Sequence, residues 1–256
     1  MKMRGLLLGL AILAVTLTGC FHDGLNADNI DWDRSPDAEI ISATFCCGFT
    51  TMLFVQNYIP AATVWGDGRI VWTAIDEDGK RSVWEGQLAA DSIIGFVKDA
   101  AQEGFFNWKD LYEDRRVADA ATKCLTISLL DLKKSVCEYF EGAPQAFHQL
   151  YDVVAEGAGA QNFGPYMPET GYLTALEMTF EEPPTPDQIH ADWDAASLNL
   201  SLADAANGVW VEGQALAAAW DIVNRNIWAN VVHDNGRYFQ LTLQIPGLSF
   251  TEPPAQ

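Results

Sequence analysis

Two short glycine breaks, "GDG" at 66–68 and "DG" at 78–79, divide the stretch "ATVWGDGRIVWTAIDEDGKRSVWEGQL" into apolar runs too short for helices. The runs are rich in β-branched and aromatic residues, and the breaks hold residues that adopt turn backbone at little cost. Strands joined by turns this tight must lie antiparallel, because parallel neighbours need a long crossover. A β-meander is therefore the expected nucleus of the fold, with "EIISATFCC" before it as a further apolar strand.

The next segments fit around that meander. In "ADSIIGFVKDAAQEGFF", Ile93, Phe96, Val97, Ala100 and Ala101 share one helical face, with Asp91 or Ser92 available as cap and Gly104 as stop. "KCLTISLLDLKKSVC" reads as two strands turning near Leu130 to Lys133. If Ser128 opposes Lys133, Cys124 falls opposite Cys137, on one face and at cross-strand distance. Pro144 then opens a helix whose Phe147, Leu150, Tyr151 and Val154 form one apolar stripe. Strands, helix, hairpin and helix in that order predict an α+β class. The expectation is a mainly antiparallel sheet with helices packed on one face.

A second, smaller module is expected over 161–256, after a first over 40–160, with 158–170 ("AGAQNFGPYMPET") as linker or long loop. It contains the strand "YLTALEMTF", a Pro-rich break, the short strand "GVWVEG" and the helix "QALAAAWDIVNRN", with Leu216, Trp220 and Val223 on one face. Asn235-Gly236 between two strand-like runs is the strongest hairpin signal in the chain.

The N-terminus supplies an address. Lys2 and Arg4 precede an uncharged apolar stretch from Gly5 to Val15, the layout of a secretory signal peptide. A transmembrane helix needs ~20 apolar residues, more than this stretch offers. Leu17-Thr18-Gly19-Cys20 resembles the bacterial lipobox, which implies cleavage after residue 19 and a lipid on the Cys20 thiol. Residues 1–19 are then a lipoprotein signal peptide, and the membrane is a partner through the anchor. Two or more acyl chains hold a protein stably on a membrane surface. Residues 20–39, acidic and turn-rich, read as a flexible tether.

Loss of residues 1–19 leaves 237 of the 256 residues, enough for one large domain or two small ones. The formal net charge is −20, and removing Lys2 and Arg4 takes it to −22. Such a surface excludes nucleic acid as a partner. Cys46, Cys47, Cys124 and Cys137 remain, and an exported protein favours disulfides. The expected pair is Cys124–Cys137, which leaves Cys46 and Cys47 free or strained together. The paired Cys-x-x-Cys spacing of a zinc site is absent, so no metal is expected.

The search for chemistry yields little. There is no His-Glu-x-x-His, no Gly-x-Ser-x-Gly elbow and no phosphate-binding glycine loop. Gly157 and Gly159 read as a helix end. His22, His148, His190 and His233 are scattered. Asp76, Asp78, Gly79 and Glu85 partly match a calcium loop. Ala74 and Arg81 spoil the pattern, and the flanks read as strands, so a hairpin turn is preferred. Trp65, Trp72 and Trp84 all lie in the meander, as sheet core or as a stacked platform for sugar rings. Trp72 shares a strand face with Ile70 and Ala74, which favours core. No catalytic residue and no cofactor is assigned.

"GDGRIVW", "EGQL", "GFFNWKDLY", "DAATKCLTISL" and "EGAP", across about residues 45–156, look similar to a family of uncharacterised bacterial envelope lipoproteins. "WVEGQALAAAWDIVNR" and "YFQLTLQIPGLS" resemble a region that accompanies such domains. The resemblance implies a fold and no activity. The favoured expectation is a lipid-anchored envelope protein acting as a non-catalytic binding or structural module toward an envelope protein or a glycan. The alternatives are a carbohydrate-binding lipoprotein using exposed tryptophans, and a hydrolase with a dispersed site.

Overall fold

The computed structural model describes residues 30–114, 116–182, 184, 185 and 188–255. The signal peptide and Cys20 lie outside the described residues. The first part of the chain holds β1 (Glu39–Cys47), α1 (Met52–Gln56), β2 (Ala62–Trp65), β3 (Arg69–Ile75), β4 (Arg81–Gln87) and α2 (Ala90–Gln102). After these come β5 (Leu111–Glu113), β6 (Ala121–Ser128), β7 (Lys133–Tyr139), α3 (Gln145–Ala155) and β8 (Gln161–Pro165). The remainder comprises β9 (Thr170–Met178), β10 (Ala191–Asp192), α4 (Ala195–Leu198), β11 (Val209–Glu212), α5 (Gly213–Arg225), β12 (Val232–Asp234) and β13 (Arg237–Gln244).

This is an α+β fold with two sheets. An eight-stranded sheet runs β5-β7-β6-β1-β2-β3-β4-β8, and a five-stranded sheet runs β10-β12-β13-β9-β11. Among the described strands, only β5–β7 and β10–β12 pair in parallel; the other pairs are antiparallel. The meander forms as its glycine breaks require. The 76–80 segment closes the β3–β4 turn through Asp76, whose carboxylate accepts from the Asp78 and Lys80 amides, so it is a hairpin turn flanked by strands. Asn235 and Gly236 both take positive φ between β12 and β13, the backbone a two-residue hairpin needs.

Helices α2 and α3 pack on one face of the first sheet, as expected, and its other face is covered by α5 and the second sheet. On one face α2 and α3 bury Ile93, Val97, Phe147 and Leu150 against Ile41, Val64, Ile70 and Leu125. On the other, Trp65, Val71 and Val83 join α5 and the second sheet in a single core with Leu216, Trp220, Leu173 and Leu241. The two expected modules therefore share a core, with α5 packed against both sheets. Alternation along β2 and β3 explains this, since Val64 and Ile70 point one way and Trp65 and Val71 the other.

Buried polar groups tie the two parts together. The Asn57 amide donates to Leu241 O and accepts from Leu243 N, and the Asn230 amide makes the same exchange with Leu241. Both serve the edge of β13 beyond the short β12, where backbone groups would otherwise be buried without partners. Arg81 donates to Asn57 O at 2.6 Å and to Asn224 Oδ1. Desolvation holds its guanidinium down to about 10.

Three expectations change. Residues 161–165, read as linker, form β8 and pair with β4, so the first sheet extends past residue 160. Residues 30–38, read as part of a flexible tether, lie against the first sheet: Trp32 is buried and its indole N–H donates to Gly66 O at 2.9 Å. The Leu130 amide donates to Asp31 O. A single indole with a satisfied N–H outweighs the acidic character of its neighbours. Finally, α2 starts from Ala89 without a side-chain cap; Asp91 sits in its first turn.

Candidate functional site

The site lies where the ladder of the first sheet is interrupted. β2 reaches only Ala43 of β1 and Trp72 of β3. Pro60 has no N–H to continue the pairing, and the chain leaves the sheet there. Residues 44–47 of β1 and 73–75 of β3 thus lose the strand between them. Part of the loss is made up locally. The Thr73 amide donates to Ala61 O, and the Phe45 amide donates to the Tyr58 hydroxyl at 2.6 Å.

The gap is a cavity of about 570 Å³, within the ~300–1,000 Å³ range of small-molecule sites. Phe45 and Cys47 line it from β1, Thr73 and Ile75 from β3, and Ala121 and Lys123 from β6. Tyr151 and Ala155 close it from α3, and Phe54 from α1. Trp228 enters from the far part of the chain and stacks on Phe54, with ring centroids 5.0 Å apart. Trp228 is held there by the β3–β4 turn: Gly79 has φ +80, a Cβ at that position would meet the indole, and the Ile227 amide donates to Gly79 O.

The mouth is unusually apolar for a chain this acidic. Phe49 is 92 % exposed, and Phe45, Ile75 and Trp228, which also line the cavity, are exposed. Contiguous exposed apolar surface of this kind marks interaction sites. Burial raises the Tyr58 phenol to about 12, and burial is also the main cause raising Tyr151, so both rings carry neutral hydroxyls. Lys123 is half-buried with its ammonium 4.7 Å from the Tyr151 ring centroid. Among the described residues no carboxylate lies within ion-pair distance of it. Asp119, also lining the cavity, is exposed.

Both cysteine pairs are at disulfide distance. Cys124 and Cys137 face each other across β6 and β7 in the register that sets Ser128 against Lys133. Cys46 is joined to Cys47, at the end of β1 and in the wall of the cavity. With these four thiols paired, no free thiol is left among the described residues. The described histidines do not converge either. His233 meets Asp192 at 3.0 Å, His148 is 3.5 Å from Glu138, and His190 accepts from the Val231 amide, all outside the cavity. Among the described residues no group of three His, Cys, Asp or Glu could hold a metal ion.

Of the three meander tryptophans, Trp65 and Trp72 are core and Trp84 is half-buried. Trp65 is buried beneath the Arg69 guanidinium, 3.6 Å from the ring centroid. Trp72 is buried, and Gly157, at φ +65, sits so close that a Cβ would strike its ring. Phe163 of β8 contacts both Trp72 and the half-buried Trp84 edge-on. The segment read as a linker thus covers the rings that would have bound sugar. Phe45, Phe49, Phe54 and Tyr58 carry one sequence signal, a cluster of large apolar residues just before Pro60; Trp228, which joins them from the far part of the chain, carries none.

No protein-family model matches the chain, and no curated protein or solved structure is found to be similar to it.

Proposed function

We propose that the protein is an exported, lipid-anchored binding module of the cell envelope, and that the cavity beside β1 receives a small apolar ligand. The lipobox-like Leu17 to Cys20 supports the address, and Cys20 is the lipid attachment site in this reading. The single observation that carries the binding role is the aromatic cavity with an exposed apolar mouth. Leaving such surface in water costs ~25 cal/mol per Å², a cost that an apolar ligand removes. The reading assigns no catalytic step: besides Lys123 and Asp119, the hydroxyls that border the cavity are those of Thr50, Thr73, Tyr58 and Tyr151. Buried Trp65 and Trp72 weigh against the glycan alternative.

Two measurements test it. Cys20→Ser should move the protein from the membrane fraction to the soluble fraction; unchanged retention would sink the anchor. An environment-sensitive apolar dye should bind saturably, and Ala61→Phe, which fills the cavity, should abolish binding while leaving the fold intact by circular dichroism. Dye binding that survives Ala61→Phe would remove the cavity from the account.

A further inference from the structure

The cavity pairs an apolar wall with a lysine, Lys123, that has no carboxylate within ion-pair distance among the described residues. Lys80, Lys98, Lys109 and Lys133 lack one as well, and Lys123 is set apart by its place: no other lysine or arginine among the described residues lines the cavity. Among the described arginines, 34, 69, 116, 225 and 237 are each paired with a carboxylate, and Arg81 is buried on neutral acceptors. Lys123 has only the Tyr151 ring. Half-burial beside aromatic side chains weakens its hydration, which strengthens attraction to any anion that arrives. Tyr58 adds a donor: its hydroxyl accepts from the Phe45 amide and donates to no described residue.

We infer that the cavity takes the hydrocarbon chain of a fatty-acid-type carboxylate, with the carboxylate on the Lys123 ammonium. This rests on the reading of the cavity as the binding site. Phe45, Phe54, Ile59, Ile75, Ala155 and Trp228 offer wall without polar partners, which suits methylenes; a polyol would lose its water contacts there. Each buried methylene contributes ~0.8 kcal/mol. The head group supplies selectivity, because a charge-assisted hydrogen bond is roughly twice as strong as a neutral one. Asp119 opposes the anion from the exposed side of the cavity, so the carboxylate belongs at Lys123 and away from it.

The test compares three amphiphiles of one chain length, dodecanoate, dodecanol and dodecylammonium, each below its aggregation concentration. They are titrated calorimetrically into the full chain carrying Cys20→Ser, which removes any attached acyl group. Dodecanoate should bind about tenfold tighter than dodecanol, equivalent to ~1.4 kcal/mol, and dodecylammonium should bind weakest. Lys123→Gln should erase the gap by weakening dodecanoate alone, and Asp119→Asn should tighten dodecanoate a few-fold. Equal binding of dodecanoate and dodecanol, both lost in Ala61→Phe, would overturn the carboxylate inference and leave the cavity reading standing. A gap that survives Lys123→Gln would overturn it too. If none of the three binds, the inference and the cavity reading fall together.

Discussion

The first sheet has two aromatic regions with opposite fates. Where β2 stands in the ladder Trp32, Trp65 and Trp72 are buried, with the Trp32 N–H on Gly66 O and the Arg69 guanidinium over Trp65. At the gap, Phe45, Phe49 and Trp228 face solvent. The difference lies in the ladder. Where β2 stands between β1 and β3, side chains on both faces are covered; where β2 stops, Phe45, Phe49 and Trp228 beside the gap are left exposed. Aromatic content therefore does not mark a site by itself, and continuity of backbone pairing decides which rings are spare.

The largest effect expected from breaking this contrast is in the covered region. Trp72→Ala should cost about 3–5 kcal/mol, as large-to-small core changes do, read as a fall in the urea midpoint. A loss below ~1 kcal/mol would mean that the ring is not core.

The disulfides give the next contrast. Cys124–Cys137 closes a loop of 13 residues, so Cys124→Ser with Cys137→Ser should cost about 3 kcal/mol. Cys46–Cys47 closes no loop, and Cys46→Ser with Cys47→Ser should cost under ~1 kcal/mol while altering ligand affinity, because Cys47 walls the cavity. Equal losses of stability for the two pairs would contradict this.

A smaller effect appears only in alkali. Tyr58 is raised to about 12, and Tyr151 and Tyr166 are shifted in the same direction, chiefly by burial. Each phenol ionises first in the unfolded chain, near its ordinary value of 10.0. The contribution of Tyr58 is complete below that pH and is lost as pH rises through about 12, and those of Tyr151 and Tyr166 fall in the same direction as the unfolded phenols ionise. Arg81, lowered to about 10, works the other way over the same range but is one group against three. Stability from urea melts should fall above pH 10, and Tyr58→Phe should flatten the fall. A rise would contradict the burial of the phenols.

The smallest effect is at the gap. Phe49→Ala should change stability by less than ~0.5 kcal/mol, since the ring has almost no packing to lose, and should weaken ligand binding. A stability loss like that of Trp72→Ala would erase the difference between the two regions.

Much of the fold is legible locally. The Asn235-Gly236 turn, the stripe of Phe147, Leu150, Tyr151 and Val154, and the register of Cys124 against Cys137 all follow from spacing within a few turns of chain. What was not legible depends on distant partners. β8 has no apolar alternation in "QNFGP" and exists because β4 has a free edge for it. Trp32 stands alone in an acidic stretch and finds its acceptor 34 residues away. The candidate site was least legible of all: it needs β2 to end at Ala62, Tyr58 to reach Phe45, and Trp228 to arrive from beyond α5. Adjacent Cys46 and Cys47 gave no hint that their pair would wall a cavity.

The most direct test of the central claim is to titrate dodecanoate into isotopically labelled protein and map which amide and side-chain resonances move. The account predicts changes confined to the gap left by β2, at Phe45, Cys47, Phe54, Tyr58, Lys123 and Trp228, with Trp32, Trp65 and Trp72 unmoved. Shifts centred on the buried tryptophans, or no saturable shift anywhere, would contradict it.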